Sequence, residues 1–250
     1  MRTAALYDIH GNLPALEAVL ADVQAEGIER VIVGGDVIAG PFPAASLRAL
    51  RALPVPTLFI RGNAESETLR AAAGQPPGGF SERADGEARW LAETLSPDDL
   101  RWITSWPLAV EIESPGRVLF CHATPESDSR VFTSRTPEAA IAPAFVGVDC
   151  PTVVCGHTHL PFDRRIAGRR VINAGSVGMP FGQTGADWLV LGPEGIAFRH
   201  TDYDLAAAAE RIRASEYPHA ASLAQNNVER VPSADQALAM LEQLQASQAA

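Results

Sequence analysis

No run of apolar residues in this 250-residue chain approaches the length needed to cross a bilayer, and its first residues lack a signal-peptide pattern. The first candidate ligand, Asp8, leaves no room for a removable presequence ahead of it. Cysteine is scarce. There are three, Cys121, Cys150 and Cys155, an odd number without disulfide-framework spacing. Cys121 and Cys155 lie inside apolar, strand-like runs and read as small buried hydrophobes, so a reducing cytoplasm is the expected home. Positive charge is also short: 20 Lys and Arg against 30 Asp and Glu leave a net charge of -10. That balance argues against a protein that coats nucleic acid through a basic face, and membrane partners are likewise not expected. It still permits a phosphate substrate held by bound cations. Internal repeats and low-complexity segments are missing too. What remains is a chain with 46% hydrophobic residues, ample for one large domain or one domain with a small appendage.

The pattern along the chain is α/β. Thr3 to Tyr7 is a short β-like run. A helix follows at once, capped by Asn12, with Leu13, Leu16, Leu20 and Val23 at helical spacing and Gly27 at its C′ position. Val31 to Val33 is the next strand. A helix over Pro43–Leu53 and a strand over Thr57–Ile60 come after it. Gly74 to Gly86 reads as a Gly/Pro-rich loop at the rim of any site. Ser96-Pro97-Asp98-Asp99 starts a helix with cap, N1 proline and an acid at N3. Leu108–Ile112 and Arg117–Phe120 form a strand pair about Ser114-Pro115-Gly116. Thr136-Pro137-Glu138 opens a further helix. Val153 to Cys155 and Arg170 to Ile172 are strands, and Trp188–Leu191 with Ile196–His200 form a hairpin. Beyond Asp204 the chain is helical: Ala206–Ile212 is one segment, and Ser233-Ala234-Asp235-Gln236 caps another carrying Leu238, Leu241 and Leu244. We divide the chain at this point into a domain over 1–204 and a helical extension over 205–250. The extension is expected to pack on its own domain, and a homo-oligomer formed through it is the other option.

Polar clusters stand at the ends of five strands: Asp8 with His10, Asp36, Asn63, His122, and His157 with His159. Each follows an apolar run and lies at or beside a glycine or tight turn. Singly, each has a plain explanation as a turn former, a helix cap or a satisfied core histidine. Five together at strand ends are much harder to explain that way, because ligands of parallel sheets gather at the C-terminal ends of strands. Two carboxylates, four imidazoles and one amide oxygen suit borderline to hard divalent ions: Mn, Fe, Zn, Co or Ni, with Mg less favoured. Seven ligands are too many for one ion and suit two ions sharing a carboxylate bridge. Such a pair generates hydroxide near neutral pH and clamps phosphoryl oxygens during in-line displacement.

The series Asp8-Ile9-His10, Gly35-Asp36, Gly62-Asn63, His122 and Gly156-His157-Thr158-His159 resembles the calcineurin-like metallophosphoesterases. Val171 to Pro180, VINAGSVGMP, is similar to the NPGSVG phrase of their small bacterial and archaeal phosphodiesterase-type branch. The resemblance spans about residues 3 to 204. It implies a four-layer αββα sandwich and hydrolysis of phosphomono- or phosphodiesters by attack of a metal-bound hydroxide. It assigns Asp8, His10 and His159 to one metal, Asn63, His122 and His157 to the other, and Asp36 to the bridge. Catalytic roles fall to Asp36, Asn63 and His122, and substrate contact to Asn63 and His122. Manganese is the favoured ion, and a small phosphoester the expected substrate.

One position departs from the family pattern. Many members carry a histidine after the Gly-Asn pair, taken to protonate the leaving group, whereas this chain reads Gly62-Asn63-Ala64-Glu65. Esters with good leaving groups need that proton least, so aryl phosphates or phosphodiesters are expected to outpace alkyl monoesters. Glu65 or a water is left as a stand-in donor. Asn173 and Ser176 are expected to support the ligand loops, and Arg61, Arg130 and Arg135 are weaker candidates for substrate contact. The filled ligand set favours an enzyme. Ala64 and the leucine-spaced tail favour, more weakly, a catalytically weak metal-binding scaffold of the same fold.

Overall fold

The computed structural model describes residues 1–78, 81–113 and 116–249. Ser114 and Pro115 of the expected turn, and Gly79 and Phe80 of the expected loop, lie outside the described residues.

Two five-stranded mixed sheets stack face to face. The first takes β1 (Thr3–Leu6), β2 (Arg30–Val33) and β3 (Thr57–Phe59) in parallel, then extends antiparallel through β9 (Ala186–Gly192) to β10 (Gly195–Thr201), in the order β10-β9-β1-β2-β3. The second runs β4-β5-β6-β8-β7, from β4 (Ala109–Glu113), β5 (Arg117–Cys121), β6 (Thr152–Cys155), β7 (Phe162–Ile166) and β8 (Arg169–Asn173). Within it β5, β6 and β8 are parallel and the outer strands antiparallel.

The two-residue period of a strand sorts the core into layers. Ala5, Ile32, Phe120, Val154, Ile172 and Leu189 fill the seam between the sheets. Their neighbours Ala4, Leu6, Val31, Val33 and Val190 face away from it, onto α1 (Leu13–Ala25), α2 (Pro43–Arg51) and α5 (Pro97–Thr104). On the far side, Cys121, Val153, Cys155 and Val171 face Phe132, Ile141 and Phe145. The result is the αββα sandwich, with a thin fourth layer. All three cysteines are buried and free.

Local chemistry sets the helix ends. Asn12 accepts the Ala15 N–H at 3.2 Å, and Gly27 takes the left-handed φ of 63° that closes α1. Ser96 accepts the Asp99 N–H at 3.1 Å above α5. One expectation is corrected, and two elements take a form that the sequence left open. The loop drawn to Gly86 ends sooner, because α4 (Glu82–Thr94) starts at a Ser81 cap and runs through Gly86. The helix at 138 lasts one turn as α6 (Glu138–Ile141) and tightens to a 3₁₀ turn at Ala142–Phe145, since Pro143 has no N–H to continue the ladder. And α3 (Asn63–Ala72) begins directly at a candidate ligand.

The C-terminal helices α7 (Leu205–Arg213) and α8 (Ala220–Leu223), with its π-helical turn at Ala224–Val228, enclose their own apolar cluster, and α9 (Ala234–Ala249) follows them. That cluster packs on Phe42, Trp90, Met179 and Tyr203. Gln248 of α9 accepts the Val131 N–H at 2.9 Å and donates to the Ser129 carbonyl at 2.7 Å. Among the described residues, no helix is long and apolar enough to cross a membrane.

Candidate metal centre

All seven predicted side chains meet at the C-terminal ends of β1, β2, β3, β5 and β6. Asp8, His10 and His159 form one group, and Asp36, His122 and His157 a second. Within each group the ligand atoms lie within 4.8 Å of one another. Asn63 joins the second, its Oδ1 standing 3.2 Å from His122 Nε2. Both carboxylates reach across. Asp36 Oδ2 is 3.8 Å from His10 Nε2 while its Oδ1 is 3.5 Å from His122 Nε2. Asp8 Oδ1 is 3.4 Å from His159 Nε2 and 3.8 Å from His122 Nε2.

The tautomers are set from behind. His10, His122 and His159 each place Nδ1 on a backbone carbonyl, of Ala39 at 3.2 Å, Gly34 at 2.8 Å and Met179 at 2.9 Å. At His10 and His159 a proton held there leaves the Nε2 lone pair aimed inward, and at His122 the carbonyl turns the ring so that Nε2 points into the site. His157 is reversed: its Nε2 meets the Ser129 carbonyl at 3.1 Å, leaving Nδ1 free to bind.

Two observations fit divalent ions. Asp8 Oδ1 is fully buried with no hydrogen-bond partner, a costly state for a carboxylate oxygen. His10 Nε2 and His159 Nε2 face each other at 3.1 Å. Burial, reinforced by His159, holds the His10 imidazole below its ordinary value, so it arrives neutral with a lone pair to give. Burial, with His122 adding to it, pushes His157 down to about 4. At His122 burial also opposes charge, but Asp36 and Asp8 prevail and push it up to about 10. Asp36 shows the reverse balance: burial resists its ionisation, yet His122 and His10 hold its carboxyl well below the usual range.

The ligand loops are unusual in their backbone. Asp8, His10, Asp36, His157 and His159 all have positive φ, between 49° and 66°. Side chains with a Cβ rarely take that conformation, and each instance costs on the order of 1–3 kcal/mol. The surroundings over-determine it. Ser176 donates its hydroxyl to the Asp8 carbonyl at 2.7 Å, and Gly178 N–H adds a second bond at 2.9 Å. Asn173 donates to the Gly156 carbonyl at 2.6 Å and to Thr158 Oγ1 at 3.0 Å. Both residues thus support the loops, as the sequence suggested. Close approach explains Gly62 and Gly156: a Cβ at either would collide with a carboxylate oxygen, of Asp36 and Asp8 respectively.

Glu65 holds the second loop. Its Oε2 accepts the N–H groups of Asp36 and Gly62, both at 2.8 Å, and its Oε1 those of Val37 at 2.8 Å and Ile38 at 3.3 Å. Burial, with Asp36 adding to it, pushes this carboxyl up to about 7, while the Gly62 and Asp36 N–H groups draw it toward the ionised form. Both oxygens are spent on backbone, so Glu65 is not the stand-in proton donor. Of the candidate arginines, Arg130 donates to the Ala140 carbonyl and Arg135 to Asp235, away from the cluster. Arg61 keeps a buried Nε without a partner.

Sequence reasoning passed over Glu87. It lines a pocket of about 160 Å³ beside the cluster, together with His10, Asp36, Asn63 and Ala64. An acid on a helix looks solvated in sequence. Its partner here, the Tyr217 hydroxyl, is 130 residues away.

Comparison with known proteins places these features in a wider group. Residues 1–193 match the calcineurin-like phosphoesterase superfamily domain. An uncharacterized protein of Methanocaldococcus jannaschii is 26% identical over 235 residues, 86% of this chain and 93% of that protein. The crystal structure of a metallophosphoesterase from Sphaerobacter thermophilus superposes with a TM-score of 0.72 at 25% identity, over 92% of this chain and 98% of that one. A hypothetical protein of Pyrococcus horikoshii OT3 shares the fold, with a TM-score of 0.75 at 18% identity over 89% of this chain and 97% of its own.

Proposed function

Since the chain belongs to the calcineurin-like phosphoesterase superfamily, we propose that it hydrolyses small phosphomono- or phosphodiesters with the help of two divalent cations, manganese being the favoured ion. Asp8, His10 and His159 would hold one ion, Asn63, His122 and His157 the other, with Asp36 between them. The observation that carries this reading is the convergence of seven side chains from five strand ends around the buried, unpartnered Asp8 Oδ1. Two cations bound there would activate water near neutral pH and neutralise charge on the phosphoryl group.

The chain's own residues supply pre-organisation. Backbone carbonyls fix the orientation of three imidazole rings, so no reorientation is needed when a ligand arrives. The Ala64 N–H donates to Asp36 Oδ1 at 2.8 Å and orients that carboxylate. The adjoining pocket of about 160 Å³ accommodates a small leaving group rather than a polymer.

The test is elemental analysis of the purified protein, followed by an aryl phosphoester panel after chelation and add-back of Mn or Ni. Two ions per chain and turnover abolished by chelator are expected. A protein that takes up no metal in replete buffer and turns over none of the panel would end this reading.

A further inference from the structure

Ala64 stands where the family resemblance expects a proton donor, and its methyl group fills far less of the pocket than an imidazole would. That pocket is walled on its other side by α4, which carries Glu87, Ala88 and Leu91 into it. Glu87 is held from behind: the Tyr217 hydroxyl donates to its Oε1 at 2.5 Å, and the Tyr217 ring packs edge-on against Trp90 at 5.5 Å. With Oε1 engaged, Oε2 is the oxygen left to meet a ligand. Glu67 also lines the pocket, but its Oε2 accepts the Gly78 N–H at 2.7 Å and its Oε1 faces Arg70 in an ion pair at 3.7 Å. Glu65 is spent on backbone amides.

We infer that Glu87 is the acid that protonates the leaving-group oxygen, held in place by Tyr217 from the connection between α7 and α8. The inference rests on the phosphoesterase reading. As a water oxygen bonds to phosphorus and the bond from phosphorus to the ester oxygen breaks, the Glu87 Oε2–H proton passes to that ester oxygen. The products are a free alcohol, the phosphate that has gained the water oxygen, and the Glu87 carboxylate, which recovers the proton released by the attacking water before the next turnover. The charged groups around it are consistent with an acid. Burial raises the Glu87 carboxyl above its ordinary value and Asp36 across the pocket adds to this, while the Tyr217 hydrogen bond and Arg83 pull the other way. His10 and Glu67 share the pocket, and His219 lies beyond Tyr217, 5.7 Å between ring centres. An internal acid also changes the substrate expectation: esters with poor leaving groups become substrates, through Glu87.

Glu87→Gln separates the possibilities, since the amide still accepts the Tyr217 bond but has no acidic proton. In the metal-loaded protein, kcat on an alkyl phosphoester falls by about 10²–10⁴-fold, with a far smaller loss on p-nitrophenyl phosphate. Its pH–rate profile loses the limb set by the acid, and adding Ala64→His to Glu87→Gln restores alkyl turnover. Equal losses on both substrates, or no loss on the alkyl ester, would overturn the inference. A second readout needs no turnover. In ¹³C-carboxyl NMR of glutamate-labelled protein, the resonance that Glu87→Gln removes should titrate above the usual glutamate range. A Glu87 resonance at its ordinary value overturns the assignment as well. Wild-type protein inert toward every ester tested would instead count against the phosphoesterase reading, a different result from either of these.

Discussion

Replacing Glu65 by glutamine removes one atom's worth of charge and tests how the second ligand loop is built. The wild-type carboxylate serves four backbone N–H groups, two on each oxygen. Glutamine keeps one acceptor oxygen and turns the other position into an NH2 donor. Two of the four amides, either those of Asp36 and Gly62 or those of Val37 and Ile38, then face a donor and lose their partner. A buried unsatisfied N–H costs about 1–3 kcal/mol, so the substitution should cost about 2–6 kcal/mol, a large part of a typical total of about 5–15 kcal/mol. With a urea m-value of about 3 kcal/mol/M, the unfolding midpoint should drop by roughly 0.7–2 M at unchanged slope. Glu17→Gln makes a suitable control: that carboxylate is 51% exposed and paired with Arg211, and its loss should cost less than about 1 kcal/mol. A Glu65→Gln midpoint matching the control would refute the four-amide clamp. The Asp36 N–H belongs to the clamp, so metal affinity should fall along with stability.

Other perturbations follow from the same geometry. Saturating metal should stabilise the wild type by about 2.7 kcal/mol at a hundredfold excess over Kd, and His122→Ala should abolish that gain in thermal melts. Gly62→Ala presses a methyl group on Asp36 Oδ1. It should cost about 1–3 kcal/mol and weaken metal binding in calorimetry, whereas an unchanged melt would mean the loop can shift aside. Burial holds the Asp187 carboxyl above its ordinary value of 3.8, although His200 and Gln183 donate to it. Its stabilising contribution is therefore full below that value and lost as pH rises through the folded one. Asp187→Asn should gain on the wild type, in urea midpoints, as pH rises from about 4 through the raised value of the folded carboxyl.

The ligands were legible because each closes a short apolar strand, and parallel strands deliver their C-terminal ends to one edge. Their pairing into two groups was not readable from spacing. It came from the resemblance, and it depends on β1 lying beside β2 in one sheet and β5 beside β6 in the other. Less visible were features whose cause is distant or composite. The N-cap of α3 is Gly62, so no polar cap announces the helix, and the Glu65 that closes its capping box was read only as a stand-in proton donor. Gly86 disguised α4. Strand β7, FDRRI, has apolar residues only at its ends, and α8 carries no side-chain cap hydrogen bond. The Glu87–Tyr217 contact needs two elements 130 residues apart.

The left-handed ligand residues bear on attempts to engineer this protein. A common route to thermostability is to put glycine or asparagine wherever the main chain is forced into that conformation. Applied blindly, it would choose Asp8, His10, Asp36, His157 and His159, hardening the fold in chelator while erasing its chemistry. Screens that rank variants by melting temperature in metal-free buffer would thus enrich for inert molecules. A safer programme would leave these five positions untouched and look for gains on surfaces remote from the ligand loops.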